Sequence, residues 1–202
     1  MDKQECKTTL NIERLETSWN AQFVSRFHTV ASLNPKQTVG SHSYGVAILI
    51  NELWADASKE LLQKALYHDV PEVMLGDIPF TAKRNHPEIG DAFKIAEIAV
   101  IHEYELKWLY ANLSIKDEER LKMADMLDLV LYTHLEGQTN KEMADICKFG
   151  AHYLYYNFGD RVGGDFEPVR DVLRHKGIKY DKKWFDTRLS LIHISEPTRL
   201  TC

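Results

Sequence analysis

Two histidines and two aspartates, His42, His68, Asp69 and Asp125, sit where charged or imidazole groups are costly. His42 opens the apolar run Val46 to Trp54. His68-Asp69 closes a helical pattern whose inner face is Leu61, Leu62, Ala65 and Leu66. Asp125 lies inside the strongly apolar stretch Leu121 to Val130. Such groups are rarely buried without partners, and a shared cation would partner all of them at once. Two imidazoles and two carboxylates suit a borderline or hard divalent metal: Co2+, Mn2+, Zn2+ or Mg2+, with Ni2+ and Fe2+ also compatible. A set of four protein ligands leaves two positions of an octahedral ion open, one for water and one for a phosphate oxygen. That is the arrangement metal-assisted hydrolysis requires. A lone buried histidine is more often a satisfied core residue than a ligand. The weight lies on the ordered set His, His-Asp, Asp.

Its neighbours extend the chemistry. Glu72 follows Asp69 by three and His68 by four, so a helix restarting at Pro71 turns it toward the same face. A carboxylate there can orient water or take its proton. Asp77, just after Gly76, can reach the same site and protonate a leaving oxygen, although an aspartate after a glycine is also a common turn residue. Arg26, His28, Lys83 and Arg84 are candidate anion-binding groups, with Arg26 favoured because it leads into the segment before His42. Lys122, near Asp125, is a weaker one.

The elements that must carry these residues read as helices. Asn11 to Val24 steps its apolar residues by three or four through Ile12, Leu15, Trp19 and Phe23. A loop from Ser32 to Gly40 leads to a buried helix starting near Ser41 or His42. Ser58 is the N-cap of a helix to His68. Pro71 starts a short helix that Gly76 ends. Ile78 to His86 reads as a polar loop, and Pro87 as the start of a long helix toward Tyr110. Asp117 reads as the cap of a helix to about Glu136, followed by one over Asn140 to Phe158 and a short one at Val169 to Arg174. No segment alternates with period two, so an all-α helical bundle with little or no sheet is expected.

The 202-residue chain is 44% hydrophobic and 27% charged, with a net charge of -5, an ordinary globular mixture. That balance provides neither a nucleic-acid coat nor a polybasic membrane surface. No segment approaches the roughly 18 apolar residues of a membrane span, and the polar N-terminus lacks a signal-peptide core. Cys6, Cys147 and Cys202 lack the spacing of a disulfide framework or a metal knuckle, and a cytoplasmic protein is expected. One domain is expected over residues 1–180. Residues 181–202 form a separate tail whose end, from Leu191, has neither period nor caps and reads as non-native.

The segments Arg26-Phe-His-Thr29, Thr38-Val-Gly-Ser-His-Ser43, Tyr67-His-Asp-Val-Pro-Glu-Val73, Gly76-Asp-Ile-Pro79 and Lys122-Met-Ala-Asp125 together resemble the HD-domain 5′-deoxynucleotidases. They are also similar to related phage dATP triphosphohydrolases, and the resemblance runs over roughly residues 20 to 158. It implies an all-α HD-domain bundle with His42, His68, Asp69 and Asp125 as metal ligands. It further implies catalytic roles for Glu72 and Asp77, a phosphate-binding role for Arg26 with Lys83 as a second, and a homo-oligomer. Phe27 stands where the bacterial enzymes usually carry Trp, at a position associated with the sugar and base. Phe27 or Trp19 is expected to stack on the nucleoside. The segment between Asp77 and Asp125 is short, which favours the phage-type branch. The function expected is hydrolysis of the 5′ phosphoester of a deoxynucleotide, releasing triphosphate from dATP or another dNTP. The alternatives are a 5′-deoxynucleotidase acting on dNMPs, a non-catalytic nucleotide sensor, and cyclic-nucleotide or alarmone hydrolysis.

Overall fold

A computed structural model describes residues 11–30, 36–79, 82–83, 86–106, 109, 112–159 and 164–180. The tail expected from 181 onward, Arg84, and parts of the Ser32–Gly40 and Ile78–His86 segments lie outside these. Among the described residues there is no strand, only an isolated bridge between Ser25 and Thr38. No helix among them is long and apolar enough to cross a membrane.

The helices are α1 (Ile12–Asn20), α2 (Val39–Leu53), α3 (Lys59–Tyr67), α4 (Glu72–Leu75), α5 (Pro87–Glu103), α6 (Ile115–Glu136), α7 (Lys141–Phe158) and α8 (Glu167–His175). A 3-10 turn, Ala21–Phe23, follows α1. The antiparallel pair α6 and α7 forms the base, with α2 and α3 laid against it and α8 closing the far side. The core between them holds Val46 and Ile50 of α2, Leu61 of α3, Met123 and Leu127 of α6, Leu154 of α7 and Leu173 of α8, all essentially inaccessible.

Local chemistry sets the boundaries that matter for the site. Ser58 caps α3 by accepting from Leu61 N–H, and the helix ends on His68. Pro71 then leads into α4, whose end is set by Gly76 at φ 74°, a left-handed value that suits glycine. The short α4 keeps Glu72 one turn from His68, as expected.

Three boundaries differ from the sequence reading. α2 begins at Val39, not Ser41 or His42. Thr38 and Ser41 form a reciprocal capping box in which each hydroxyl accepts from the other's backbone N–H, at 3.2 and 3.0 Å. Serine replaces the usual Glu or Gln there. His42 therefore sits inside the first turn, its N–H paired to the Thr38 carbonyl. The cap of α6 is Ser114, which accepts from Asp117 N–H at 3.1 Å, so Asp117 is the capped residue. α5 stops at Glu103 rather than Tyr110. Glu105 adopts φ 51°, and Leu106 N–H bonds back to Ile101 while Glu105 N–H bonds to His102, a Schellman closure. Leu106 packs against Ile101 and disappears into a small core with Ala21, Val39 and Val70. In the segment expected as loop, Ala82 and Lys83 form a helical turn on the Pro79 carbonyl.

The start of α6 is locked by Arg120, only 3% exposed, whose guanidinium meets Asp165 at 2.7 Å and Asp56 at 2.8 Å and lies over Trp54. Trp54 Nε1–H donates to the Asp165 carbonyl, so this one side chain ties the ends of α2 and α6 to the loop before α8. Arg120→Ala removes the buried guanidinium and leaves Asp165 and Asp56 only the half-exposed Lys116 ammonium, at 3.9 and 2.9 Å. It is expected to lower the melting temperature by roughly 5 °C or more in a calorimetric scan, a large loss for one surface-proximal charge.

Candidate active site

His42 and His68 bring their Nε2 atoms to 3.3 Å of one another. His68 Nδ1 lies 2.7 Å from the Ala65 carbonyl oxygen. A carbonyl only accepts, so Nδ1 carries the proton and Nε2 presents its lone pair. His42 Nδ1 meets Asp128 Oδ2 at 2.6 Å, leaving its own Nε2 turned to the same point. Asp125 Oδ1 is 3.1 Å from His42 Nε2 and 4.0 Å from His68 Nε2. The ligand atoms of these three residues all fall within 4.8 Å of each other and could hold a metal ion. Donors bound at about 2.1 Å to one ion stand roughly 3.0–3.4 Å apart, so the closest spacings already match a coordination sphere.

Asp69 stands beside this trio. Its Oδ2 lies 3.5 Å from His42 Nε2 and its Oδ1 3.5 Å from His68 Nε2, so its carboxylate straddles both rings. The same Oδ2 is 3.5 Å from Arg26 Nη1. Asp69 is thus shared between the candidate metal position and the guanidinium.

The electrostatics call for a cation. Burial and the nearby Arg26 press the His42 pKa down, yet hydrogen bonds accepted by Asp125 and Asp128 carry it up to about 9. Asp125 is also subject to an upward push from burial, which its contacts with His42, His68 and Arg26 overcome, holding it well below the usual carboxylate range. Asp69 behaves alike, through His68, Arg26 and His42. A proton on His42 or a divalent ion can satisfy this field, and the ion satisfies it for all four groups together.

Asp125 and Asp69 line a cavity of about 230 Å³, and His42 and His68 adjoin it through these two carboxylates. Arg26, Asp69, Glu72, Asp77, Lys83, Asp125 and Glu142 form its charged lining, and Phe27, Val30, Met126, Leu129 and Ile146 an apolar wall. An anionic substrate cannot enter a lining with more carboxylates than cations unless further positive charge is present. Glu72 is 4% exposed, and its Oε2 has no hydrogen-bond partner among the described residues. Burial first, then Asp69 and Asp77, push its pKa up to about 9. Asp77 Oδ2 accepts Phe27 N–H at 3.2 Å and lies 3.9 Å from His28 Nδ1. Phe27 itself adopts φ 54° and stacks on Tyr132 with ring centres 5.1 Å apart. A non-glycine residue in that conformation is uncommon, and it lets one residue offer its ring to the cavity wall and its N–H to Asp77. Lys83 is held over the Phe93 ring at 4.9 Å.

The structure thus gathers Asp69, Asp125, Glu72, Asp77, Arg26, Phe27 and Lys83 around one cavity, with His42 and His68 in contact with Asp69 and Asp125 at its edge. It does not bring Trp19 there. Trp19 is 61% exposed on the outer face of α1, edge-on to Phe23, and is not among the lining residues. The chain turns through Ala21–Phe23 before reaching the site, which leaves Trp19 behind. Lys122 is likewise exposed and off the cavity. Sequence reasoning missed Asp128 and Gln37, whose Nε2 donates to Asp128 Oδ2 at 2.9 Å. The available signal for Asp128 was its place in an apolar helix, three residues after Asp125 on the same face.

A model of the 5′-deoxynucleotidase YfbR-like family matches residues 19–149. This chain belongs to that family. The YfbR-like span contains every residue of the candidate site. A 5′-deoxynucleotidase of Vibrio parahaemolyticus is 30% identical over 91 residues, which cover 41% of this chain and 46% of that protein. The chain thus spans about half the length of the curated relative it matches. Two solved structures share the YfbR-like HD-domain fold at 21% identity. The cyanophage S-2L HD phosphohydrolase (DatZ), solved bound to dA and one catalytic Zn2+ ion, superposes with a TM-score of 0.64 over 85% of this chain and 98% of its own. The PH0347 protein of Pyrococcus horikoshii OT3 gives 0.62 over 84% and 100%.

Proposed function

We propose that this YfbR-like protein is a metal-dependent phosphohydrolase that cleaves the 5′ phosphoester of a deoxynucleotide. The observation that carries the reading is the convergence of two imidazole Nε2 atoms and an Asp125 oxygen, all within 4.8 Å of one another, beside the charged side of a cavity that has an apolar wall. His42, His68 and Asp125 would hold the divalent ion, with Asp69 the fourth ligand. Bound there, it supplies Lewis-acid charge to a phosphate oxygen and acidifies water. Glu72, with an unpartnered carboxylate oxygen facing the same space, orients the attacking water and accepts its proton. Arg26, whose buried Nε also lacks a hydrogen-bond partner among the described residues, binds the phosphate and offsets developing charge. Asp77, fixed by Phe27 N–H, gives a proton to the departing 5′ oxygen. Phe27 lies against the sugar or base. A pure binding protein has no use for the Glu72 carboxylate, whose burial is costly.

Within this reading the favoured substrate is dATP or another dNTP, with deoxynucleoside and triphosphate as products. Lys83 supports it, because a second cation on the cavity lining suits more than one phosphate. The likeness to nucleotidases favours the alternative, a dNMP substrate. Chromatography of products separates them: intact triphosphate from dATP supports the first, and orthophosphate from monophosphates alone supports the second. Lys83→Ala is expected to lower kcat/KM about tenfold for dATP and by less than threefold for dAMP, measured by nucleoside release. Equal losses on both would remove Lys83 as a polyphosphate contact. The exposed Ile95 and Ile98 of α5 support a homo-oligomer, and nothing in the charge balance favours a nucleic-acid or membrane partner.

A further inference from the structure

The His42 imidazole has two nitrogens, and only Nε2 faces the candidate metal position. Nδ1 is matched to a carboxylate on another helix, Asp128 of α6, at 2.6 Å. That carboxylate is itself constrained. Its Oδ2 also accepts from Gln37 Nε2 at 2.9 Å, and Gln37 N–H is fixed on the Tyr132 hydroxyl at 3.1 Å. Its Oδ1 is pressed against α2 at Gly45, where an added Cβ would collide with it. Glycine in a helix interior is less stable than alanine. Position 45 has an ordinary helical conformation, so nothing in the backbone asks for glycine there. The missing Cβ makes the notch into which Asp128 fits.

We infer that Asp128, seated in the Gly45 notch and held by Gln37, is the positioning residue that fixes the ring and tautomer of His42 for metal binding. With a carboxylate accepting from Nδ1–H, the Nε2 lone pair is committed to the ion and made more basic. Asp128 touches neither metal nor substrate in this role and acts through His42. The same network reaches the substrate wall, since Tyr132 stacks on Phe27. The inference rests on the proposed metal site, but it can be tested without any nucleotide.

The test is a Zn2+ titration against a competing chromophoric chelator for the full chain and two variants, Asp128→Ala and Gly45→Ala. It is paired with proton NMR of imidazole N–H resonances in the Zn2+-loaded proteins. Asp128→Ala is expected to weaken Zn2+ binding roughly 10- to 100-fold and to remove a slowly exchanging downfield Nδ1–H signal. Gly45→Ala keeps the carboxylate but displaces it. It should weaken Zn2+ binding at least several-fold and shift that signal, while the added helix propensity keeps the metal-free protein folded. Wild-type affinity and an unchanged N–H signal in both variants would overturn the assignment. So would a loss of affinity that merely follows a loss of helical circular dichroism in both. Neither readout uses turnover, so a wild-type protein that binds Zn2+ but hydrolyses no nucleotide would contradict the functional reading alone.

Discussion

Asp125→Ala is expected to lower turnover by a factor of ~10³ or more and to leave the purified protein without stoichiometric divalent metal. Asp125 supplies the oxygen closest to His42 Nε2, at 3.1 Å, and it is one of the three residues whose donor atoms share a single point. Removing it takes away a full negative charge from the ion's surroundings. The fold should survive. The side chain is 44% exposed at the cavity edge, while the apolar residues around it, Ala124 and Leu127, are inaccessible and remain in place. The melting temperature of the metal-free variant should therefore lie within a few degrees of wild type. Elemental analysis after Mn2+ or Zn2+ loading and a nucleoside-release assay check both halves. Full metal occupancy in an inactive variant would move Asp125 from ligand to some other role.

Glu72→Gln should separate catalysis from binding. A general base contributes about 10²–10⁴ in rate, so turnover should fall by that factor with metal content unchanged. Stability should move the other way, and its sign follows from the pKa. Burial, with Asp69 and Asp77 adding to it, raises Glu72 from 4.5 to about 9. Between those values the folded metal-free protein holds a proton that the unfolded chain has released. The contribution of Glu72 to stability is therefore whole below about pH 4.5 and is lost as pH rises toward 9. Glutamine has no proton to lose. The melting temperature of the metal-free variant should match wild type near pH 5 and exceed it by a margin that widens to pH 9. A divalent charge in the cavity favours the carboxylate form that a base requires, so the margin should shrink when metal is added. A variant with undiminished turnover would remove Glu72 from the mechanism.

Much of the fold was legible because its signals are local. Ser58 and Asn140 cap α3 and α7 as their types suggest, and Gly76 ends α4. The ordered set His42, His68-Asp69 and Asp125 was legible because ionisable residues inside apolar helical patterns are conspicuous. What escaped depended on contacts between distant segments. Apolar residues continue the α5 period to Leu106 and Leu109, and only the left-handed Glu105 turns them back into another core. The Thr38–Ser41 box lacks the usual acid, so the start of α2 was set too late. Trp19 has the right chemistry for a base platform, yet the 3-10 turn after α1 carries the chain away from it. Asp128 was hidden for a different reason. Its role exists only because Gly45, on another helix, leaves room beside His42.

The most direct measurement is nucleoside release from a panel of deoxynucleoside mono-, di- and triphosphates, with Mn2+ or Co2+ present and then chelated. Metal-dependent release of free deoxynucleoside from at least one of them, abolished by the chelator and restored by adding metal back, is the predicted result. A folded protein that demonstrably holds the metal and releases nucleoside from none of them would contradict the hydrolytic assignment.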